Sequence, residues 1–381
     1  MSISRRNFLR VAGAGAAATA AVQSVGDECL AREATSFAAA IKPRGPIRLN
    51  RNENAYGPSR PVLATLQRAL DAANRYGEVE SEALRDAIAS HHRVSRECVV
   101  LGCGSAEVLR AAAECFAGPQ QKLVMGVPTF PRIGEDARRV GAEVIRVPLT
   151  REFNHDLPQM LACSETATGL VYICNPNNPT GTVTRRQDVD AFLQSLPSGV
   201  HVVIDEAYYH YVEKSSEYAS FIERAADDAR LIVTRTFSKI YALAGMRVGY
   251  AIAAPETVRL LQARLLGDGV SGVAATAAIA ALDDSEHVAL SMRRTANDRQ
   301  EFMNQANARM VRTIDSQASF VMLKTGHGEE IVGHFKKHGV LLVPPFASLQ
   351  NYIRVSLGTT AEMQDFWRVW DLMPHHISMS M

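Results

Sequence analysis

Long apolar runs are missing from this 381-residue sequence. Although 47% of the residues are hydrophobic, no stretch of eighteen or more is uninterrupted, which argues against a helix spanning a bilayer. Charge of one sign is missing too. Lys and Arg number 41 against 40 Asp and Glu, a formal charge of +1 without basic runs, so nothing supports a nucleic-acid partner. Cysteine is sparse: six residues, with no C-x-x-C pair and no His/Cys cluster at zinc spacing, which leaves no zinc site to propose. Internal repeats are absent as well. What remains is enough chain for one large α/β domain and a smaller one.

The first thirty residues differ in kind. Ser4-Arg5-Arg6-Asn7-Phe8-Leu9-Arg10 precedes a mildly apolar, Ala/Gly-rich segment from Val11 to Val25. This resembles a twin-arginine export signal with cleavage expected after Ala31, and the mature protein is then expected in the periplasm, free of the membrane once the signal is removed. Read instead as an ordinary amphipathic helix, the segment would leave the protein in the cytoplasm. Residues 1–31 are therefore set apart from the fold. Removal of Cys29 with the signal would leave an odd number of cysteines. Cys98, Cys103 and Cys115 lie close enough in sequence to bridge in an oxidising compartment, but buried free thiols are the expected state.

Residues 43–62, rich in Pro, Gly, Asn and Arg, read as an extended arm with turns. A helix is expected from Arg60 to about Ala73 and another from near Ser81. Seven apolar runs follow: Val99–Leu101, Leu123–Gly126, Val144–Val147, Leu170–Cys174, Val202–Ile204, Leu231–Val233 and Tyr250–Ala253. Helical patterns between most of them imply a largely parallel sheet covered on both faces. The last connection, Arg235 to Gly249, lacks a crossover helix, which leaves room for an antiparallel final strand. A long helix is expected from His287 to Met310, then strands at Phe320–Leu323, Val340–Val343 and Ile353–Val355.

The motifs fall where functional loops of such a sheet belong, after the strands. Thr236-Phe237-Ser238-Lys239 follows the run Leu231–Val233, and Arg247 comes shortly afterwards. A lysine at the end of a buried strand must be paired or have its pKa lowered, and an easily deprotonated lysine suits Schiff-base chemistry. Thr236, Ser238 and Arg247 offer two hydroxyls and a guanidinium fork, a donor set for a phosphate dianion. Gly102-Cys103-Gly104-Ser105-Ala106 joins a strand to a helix and presents backbone N–H groups to an anion. Asn175-Pro176-Asn177-Asn178-Pro179-Thr180-Gly181 makes a stiff loop with the Asn178 amide at the strand end. Asp205, directly after Val202-Val203-Ile204, needs a cationic or N–H partner; a protonated pyridine nitrogen would serve, with Mg²⁺ at Asp205-Glu206 as the rival.

Taken together, Asn178, Asp205, Tyr208, Lys239 and Arg247 resemble, in order and context, the fold-type-I pyridoxal-phosphate aminotransferases. The closest branch is similar to the histidinol-phosphate aminotransferases, whose LNxNENPYGPS, NPNNPTG, DEAY and SKxxxLAGxRxGY patterns recur here between about Leu49 and Thr360. The resemblance implies an α/β fold with a seven-stranded, mostly parallel sheet in an α/β/α large domain plus a smaller α+β domain. Its expected divisions are 32–70 for the arm and the start of the small domain, 71–265 for the large domain, and 266–381 for a long helix and the rest of the small domain. It implies pyridoxal 5'-phosphate as cofactor, a homodimer, and an amino acid and a 2-oxo acid as substrates. Lys239 would form the Schiff base and carry the proton between substrate Cα and cofactor C4′. Asp205 would hold the pyridine nitrogen protonated, and Asn178 and Tyr208 would bond the ring's phenolic oxygen. Gly104, Ser105 and Ala106 with Thr236, Ser238 and Arg247 would hold the phosphate, Phe130 would stack on the ring, and Tyr76 would reach the phosphate of the neighbouring subunit. Arg354 would fork onto the substrate α-carboxylate, with Asn54, Tyr56 and Asn178 completing the substrate side.

Two departures bear on substrate. The GIxxR segment of the histidinol-phosphate branch carries a second arginine for the substrate phosphate, and Gly339–Val343 has Val343 there. The S-x-x-N-F segment has become Ser316-Gln317-Ala318-Ser319-Phe320. Losing a charge-assisted pair costs about 1.5–3 kcal/mol, which argues against histidinol phosphate as the preferred substrate. Decarboxylation, racemisation and β-elimination use the same lysine and aspartate, but Arg354 favours retaining the carboxylate. A non-catalytic pyridoxal-phosphate carrier is the alternative of another class.

Overall fold

The computed structural model describes residues 45–165, 167–213 and 217–374. The paired arginines and the segment behind them lie outside the described residues. All described secondary structure lies in the unit Ile47–Met381.

The first strand is short, β1 (Ile47–Arg48). The seven apolar runs then form the main sheet: β2 (Val99–Cys103), β3 (Lys122–Val127), β4 (Val144–Pro148), β5 (Thr168–Cys174), β6 (His201–Asp205), β7 (Leu231–Thr236) and β8 (Val248–Ile252). Their order across the sheet is β2-β8-β7-β6-β5-β3-β4. β3 to β7 pair in parallel, while β8 runs antiparallel to both β2 and β7. The link before β8 holds only a 3-10 turn, Ala244–Met246, too little chain for a parallel crossover.

Alternation along the strands feeds two cores. Val171, Ile173, Val202, Ile204 and Val233 face one layer of helices, Gly272–Asp283 among them. Tyr172, Val203 and Ile232 face the other, against Val108, Leu109 and Phe116 of helix Ser105–Phe116. Burial on both faces is why these strands read as unbroken β-branched runs, each fully buried side chain contributing about 1.5–3 kcal/mol.

The remaining strands, β9 (Phe320–Lys324), β10 (Val340–Leu341) and β11 (Tyr352–Ser356), form two small sheets. β9 and β11 pair antiparallel; β1 and β10 pair in parallel. A third core of Leu49, Phe302, Val321, Ile353, Phe366 and Trp370 lies beneath them. The arm is thus partly regular, in contrast to the sequence expectation: Ile47 and Leu49 donate to the carbonyls of Gly339 and Leu341 at 2.8 and 2.9 Å. The strand expected through Val343 stops at Leu341, because Pro344 and Pro345 offer no N–H and restrict the residue before them. The long helix runs Ser285–Ala308, started by the Asp284 carboxylate on the His287 N–H. All five cysteines from Cys98 onward are free; Cys98 and Cys174 are buried as expected, and Cys103 is exposed.

Candidate functional site

The carboxyl ends of β5, β6 and β7 open into a cleft of about 640 Å³. Ser105, Ala106, Phe130, Asn178, Asp205 and Tyr208 line it, as do Thr236, Ser238, Lys239, Arg247 and Arg354. Residues from six widely separated stretches thus meet in one cavity.

One end is a cup. Helix Ser105–Phe116 starts behind Gly104, which has φ +76° and no capping side chain. A Cβ on Gly104 would stand 2.3 Å from Arg247 Nη2, so only glycine lets the guanidinium lie against the helix start. Gly249 of β8 makes a similar close approach, since a Cβ there would collide with the Ser105 nitrogen. Arg247 adopts φ +58° and donates to Ser238 Oγ at 3.3 Å and to the Ala244 carbonyl at 3.0 Å. The Ser238 N–H is held by Thr236 Oγ1 at 3.0 Å. A helix N-terminus, hydroxyls and a guanidinium converging on a space closed to any β-carbon suit a phosphate dianion.

Asp205 ends β6, 3% exposed. It accepts from the Tyr172 hydroxyl at 2.9 Å and from the Ala207 N–H at 3.2 Å. Burial raises its pKa, and the Tyr172 hydrogen bond works against the rise. No cation pairs with it within salt-bridge distance among the described residues, so a buried carboxylate here fits a positively charged ring nitrogen.

Lys239 follows Ser238 of the cup and lines the same cleft as Asp205. Its Nζ donates to the carbonyls of Arg51 and Asn52, both at 3.0 Å. Its pKa is lowered to about 7, first by desolvation and then by the Arg354 and Arg247 charges, with Glu53 and Asp205 opposing. A lysine neutral near pH 7 can attack a carbonyl or take a proton. Tyr208 lies beside it, 3% exposed, its hydroxyl accepting from Asn52 Nδ2 at 3.0 Å. Burial raises the Tyr208 pKa, so the phenol keeps its proton.

At the other end Arg354 projects from β11, 6% exposed. Nη1 donates to Asn178 Oδ1 at 2.6 Å and Nη2 to the Asn50 carbonyl at 2.8 Å. Nε has no partner, and no acidic side chain pairs with the guanidinium among the described residues. The rings of Phe320 and Phe346 lie 5.5 Å from it. Asn178 itself is fixed by a stiff loop: Asn177 Oδ1 accepts from Thr129 Oγ1 at 2.6 Å and Asn175 Nδ2 donates to the Thr184 carbonyl at 2.8 Å.

Three expected residues stand outside the cleft of their own chain. Asn54 Nδ2 reaches the Ile240 carbonyl at 3.2 Å. The Tyr56 hydroxyl donates to Asp298 at 2.9 Å, and Arg294 lies 5.0 Å over its ring; both contacts tie the arm to helix Ser285–Ala308. Neither residue lines the cleft of its own chain. Tyr76 is 85% exposed, near the equally bare Val79.

The sequence reading passed over Asn52, Tyr172 and Arg51. Asn52 and Tyr172 act through partners 156 and 33 residues away, so local pattern carries no sign of them. Arg51 also lines the cleft, exposed, and could have been noticed as a cation inside the Leu49–Pro58 motif.

Residues 44–368 match the model of the family described as aminotransferase class I and II. The chain belongs to that family. Among curated aminotransferases it is 35% identical over 324 residues to histidinol-phosphate aminotransferase of Moorella thermoacetica, covering 84% of each chain. It is also 35% identical over 277 residues to that of Bacillus subtilis strain 168, covering 73% of this chain and 77% of the relative. The crystal structure of histidinol-phosphate aminotransferase from Sinorhizobium meliloti in complex with pyridoxal-5'-phosphate superposes with a TM-score of 0.81 at 27% identity, over 91% of this chain and 94% of that one. The aminotransferase fold anticipated from the motifs is therefore the fold observed, the fold-type-I arrangement with its seven-stranded, mostly parallel sheet.

Proposed function

We propose that this pyridoxal-phosphate-dependent aminotransferase moves an amino group between an α-amino acid and a 2-oxo acid, and that it does not favour histidinol phosphate. Arg354 carries the reading. Two of its five N–H donors are used by Asn178 and Asn50; the others, Nε–H included, have no acidic partner among the described residues. A buried guanidinium so placed fits a carboxylate bidentately.

When bound, pyridoxal phosphate supplies an electron sink that makes the substrate Cα–H acidic. The chain's own groups do the rest. Ser105, Ala106, Thr236, Ser238 and Arg247 hold the phosphate, and Phe130 covers the ring. Asp205 keeps a proton on the pyridine nitrogen. Tyr208 donates to the ring oxygen, and Asn178 keeps its Nδ2 donors for the same atom while Oδ1 is tied to Arg354. Lys239 Nζ takes the Cα proton and returns it. Arg354 sets the carboxylate, which fixes the Cα–H bond toward Lys239.

The apolar rim at Val343 and Phe346 supports a neutral side chain on the donor. The test is a half-reaction screen that follows loss of the cofactor's visible absorbance with each amino acid and with histidinol phosphate. Conversion by histidinol phosphate ahead of every amino acid would overturn the reading.

We also propose a homodimer in which Tyr76 enters the partner's site; Tyr76, Val79 and Leu266, 85%, 78% and 74% exposed, support an apolar contact face, and an active monomer by sedimentation would refute it. Export rests on Arg5-Arg6. Replacing both with Lys should keep the enzyme in the cytoplasm, and unchanged periplasmic enzyme would refute that reading. The divisions 71–265 and 266–381 are proposed as cofactor-holding and capping portions.

A further inference from the structure

We infer that Asn52 is a positioning residue that aims the Tyr208 hydroxyl into the cleft and so sets the pH at which the cofactor-loaded enzyme changes protonation state. The inference rests on the reading of Tyr208 as a donor to the cofactor's ring oxygen. It assigns a task to a residue that acts through Tyr208 rather than on the reacting atoms.

Asn52 is 1% exposed and has φ +53°, a left-handed conformation that asparagine tolerates better than most side chains. That backbone bend turns four of its groups to three partners, Ser356, Tyr208 and Lys239. Its backbone N–H donates to Ser356 Oγ at 2.8 Å, and Ser356 Oγ donates in return to Asn52 Oδ1 at 2.7 Å. The closed pair with β11 fixes the amide, so that Nδ2 faces Tyr208 and donates to its hydroxyl at 3.0 Å. The Asn52 carbonyl accepts from Lys239 Nζ at 3.0 Å.

A phenol has a single hydrogen to give. With Asn52 Nδ2 on an oxygen lone pair, that hydrogen is free for an acceptor in the cleft, and the incoming donor polarises the O–H so that it donates more strongly. Phe320 packs edge-on to the Tyr208 ring, centroids 5.1 Å apart at 80°, so the ring has little freedom to find another orientation. The charged and titratable groups around Tyr208 and Lys239 are Arg354, Arg247, Asp205, Glu53, Cys174 and Tyr211. None of them bonds the Tyr208 hydroxyl; Asn52 does.

The test is a visible absorbance titration against pH of the holoenzyme and of Asn52→Gly, Asn52→Asp and Tyr208→Phe, alone and combined. Glycine keeps the left-handed backbone and removes only the amide. Aspartate keeps the shape but, as an acceptor, draws the Tyr208 hydrogen away from the cleft. A weaker donor stabilises the ring oxyanion less, so Asn52→Gly should raise the midpoint by roughly half to one pH unit, the size of one hydrogen bond. Asn52→Asp should raise it further. In the Tyr208→Phe background the glycine change should leave the midpoint where Tyr208→Phe alone puts it. A midpoint unmoved by Asn52→Gly while Tyr208→Phe shifts it would overturn the inference and leave the proposed role of Tyr208 standing. The same shift with and without Tyr208 would also overturn it, marking Asn52 as merely structural. No shift from Tyr208→Phe would remove both. If Asn52→Gly does not fold, Ser356→Ala loosens the same amide and should give a smaller rise that is likewise lost without Tyr208.

Discussion

Asp205, Ser238 and Arg247 are tied to neighbours contributed by the main sheet and the loops that leave it. Arg354, at the other end of the same cleft, is held by an asparagine side chain and one carbonyl of the arm, with Val343 and Phe346 beyond it. The cofactor end is fixed by strands buried on both faces. The substrate end is assembled mainly from the arm, β11 and the 341–350 segment, none of which belongs to that sheet; Asn178, in the loop after β5, is its one link to it. A common cofactor needs a constant seat, whereas specificity can be changed by a few side chains on peripheral elements. The difference between the ends is therefore expected to appear in the kinetics: damage to the first should abolish turnover with every substrate, and damage to the second should reorder substrates.

Lys239→Ala is the severest way to break the first end. Loss of the amine should lower kcat by roughly 10²–10⁴-fold with any amino acid, and borohydride should no longer fix the cofactor to the protein. A reduced adduct on another lysine would refute the assignment. The lowered pKa, about 7, adds a pH signature in the cofactor-free protein. Nζ is nucleophilic only when neutral, so its labelling by an amine-reactive reagent should rise with pH through about 7 and then level. The sign for stability follows from the same shift. The unfolded lysine stays protonated to about 10.5, so between about 7 and 10.5 the unfolded state binds more protons and the contribution of Lys239 to stability rises with pH. Below 7 both states are protonated, and the unfavourable contribution of the enclosed charge is fully present. The pH slope of the melting temperature should flatten in Lys239→Ala.

Much of the first end could be read from residue order alone, because a strand that ends in a catalytic side chain carries its own announcement. Val202-Val203-Ile204 before Asp205 and Leu231-Ile232-Val233 before Lys239 declare burial, direction and the point where the strand stops. The antiparallel β8 was legible in a connection without a helix. The residues that escaped notice act across the fold. Tyr172 looks like one more apolar member of β5, and only the register that sets β5 beside β6 brings its hydroxyl to Asp205. Asn52 needs a left-handed backbone and a partner on β11, neither of which has a sequence period. Asn54 and Tyr56 stand in the same arm motif, yet the turn that follows Asn52 carries them to Ile240 and Asp298 instead of into the cleft.

The second end is broken more gently by Arg354→Lys. An ammonium keeps the charge but not the fork, and its stem would leave the Asn178 and Asn50 contacts unmade. For carboxylate substrates kcat/KM should fall by roughly 10–100-fold, the equivalent of about 1.5–3 kcal/mol, mainly through KM. The visible pH titration of the loaded enzyme without substrate should keep its form. A loss of the cofactor spectrum in this variant would mean that the two ends are not separable as described.

Val343→Arg sharpens the comparison with the smallest change. Val343 lines the cleft near Phe346, where the histidinol-phosphate branch is expected to carry an arginine. Histidinol phosphate has no α-carboxylate, so Arg354 alone cannot give it the fork an amino acid receives. A guanidinium at 343 would supply one charge-assisted contact to the phosphate, and the ratio of kcat/KM for histidinol phosphate over the best amino acid should rise roughly tenfold or more. Arg51 is the control, because it lines the same cleft and is exposed. Arg51 is not expected to read the phosphate, so Arg51→Gln in the wild-type background should leave the ratio within about twofold, inside the few tenths of a kcal/mol typical of an exposed site. A wild-type enzyme that already prefers histidinol phosphate, and loses the preference in Arg51→Gln, would move the phosphate contact from the 341–350 segment to the arm. The cofactor end would be untouched by that outcome, since Arg51 contacts Lys239 only through its backbone carbonyl, which the substitution keeps.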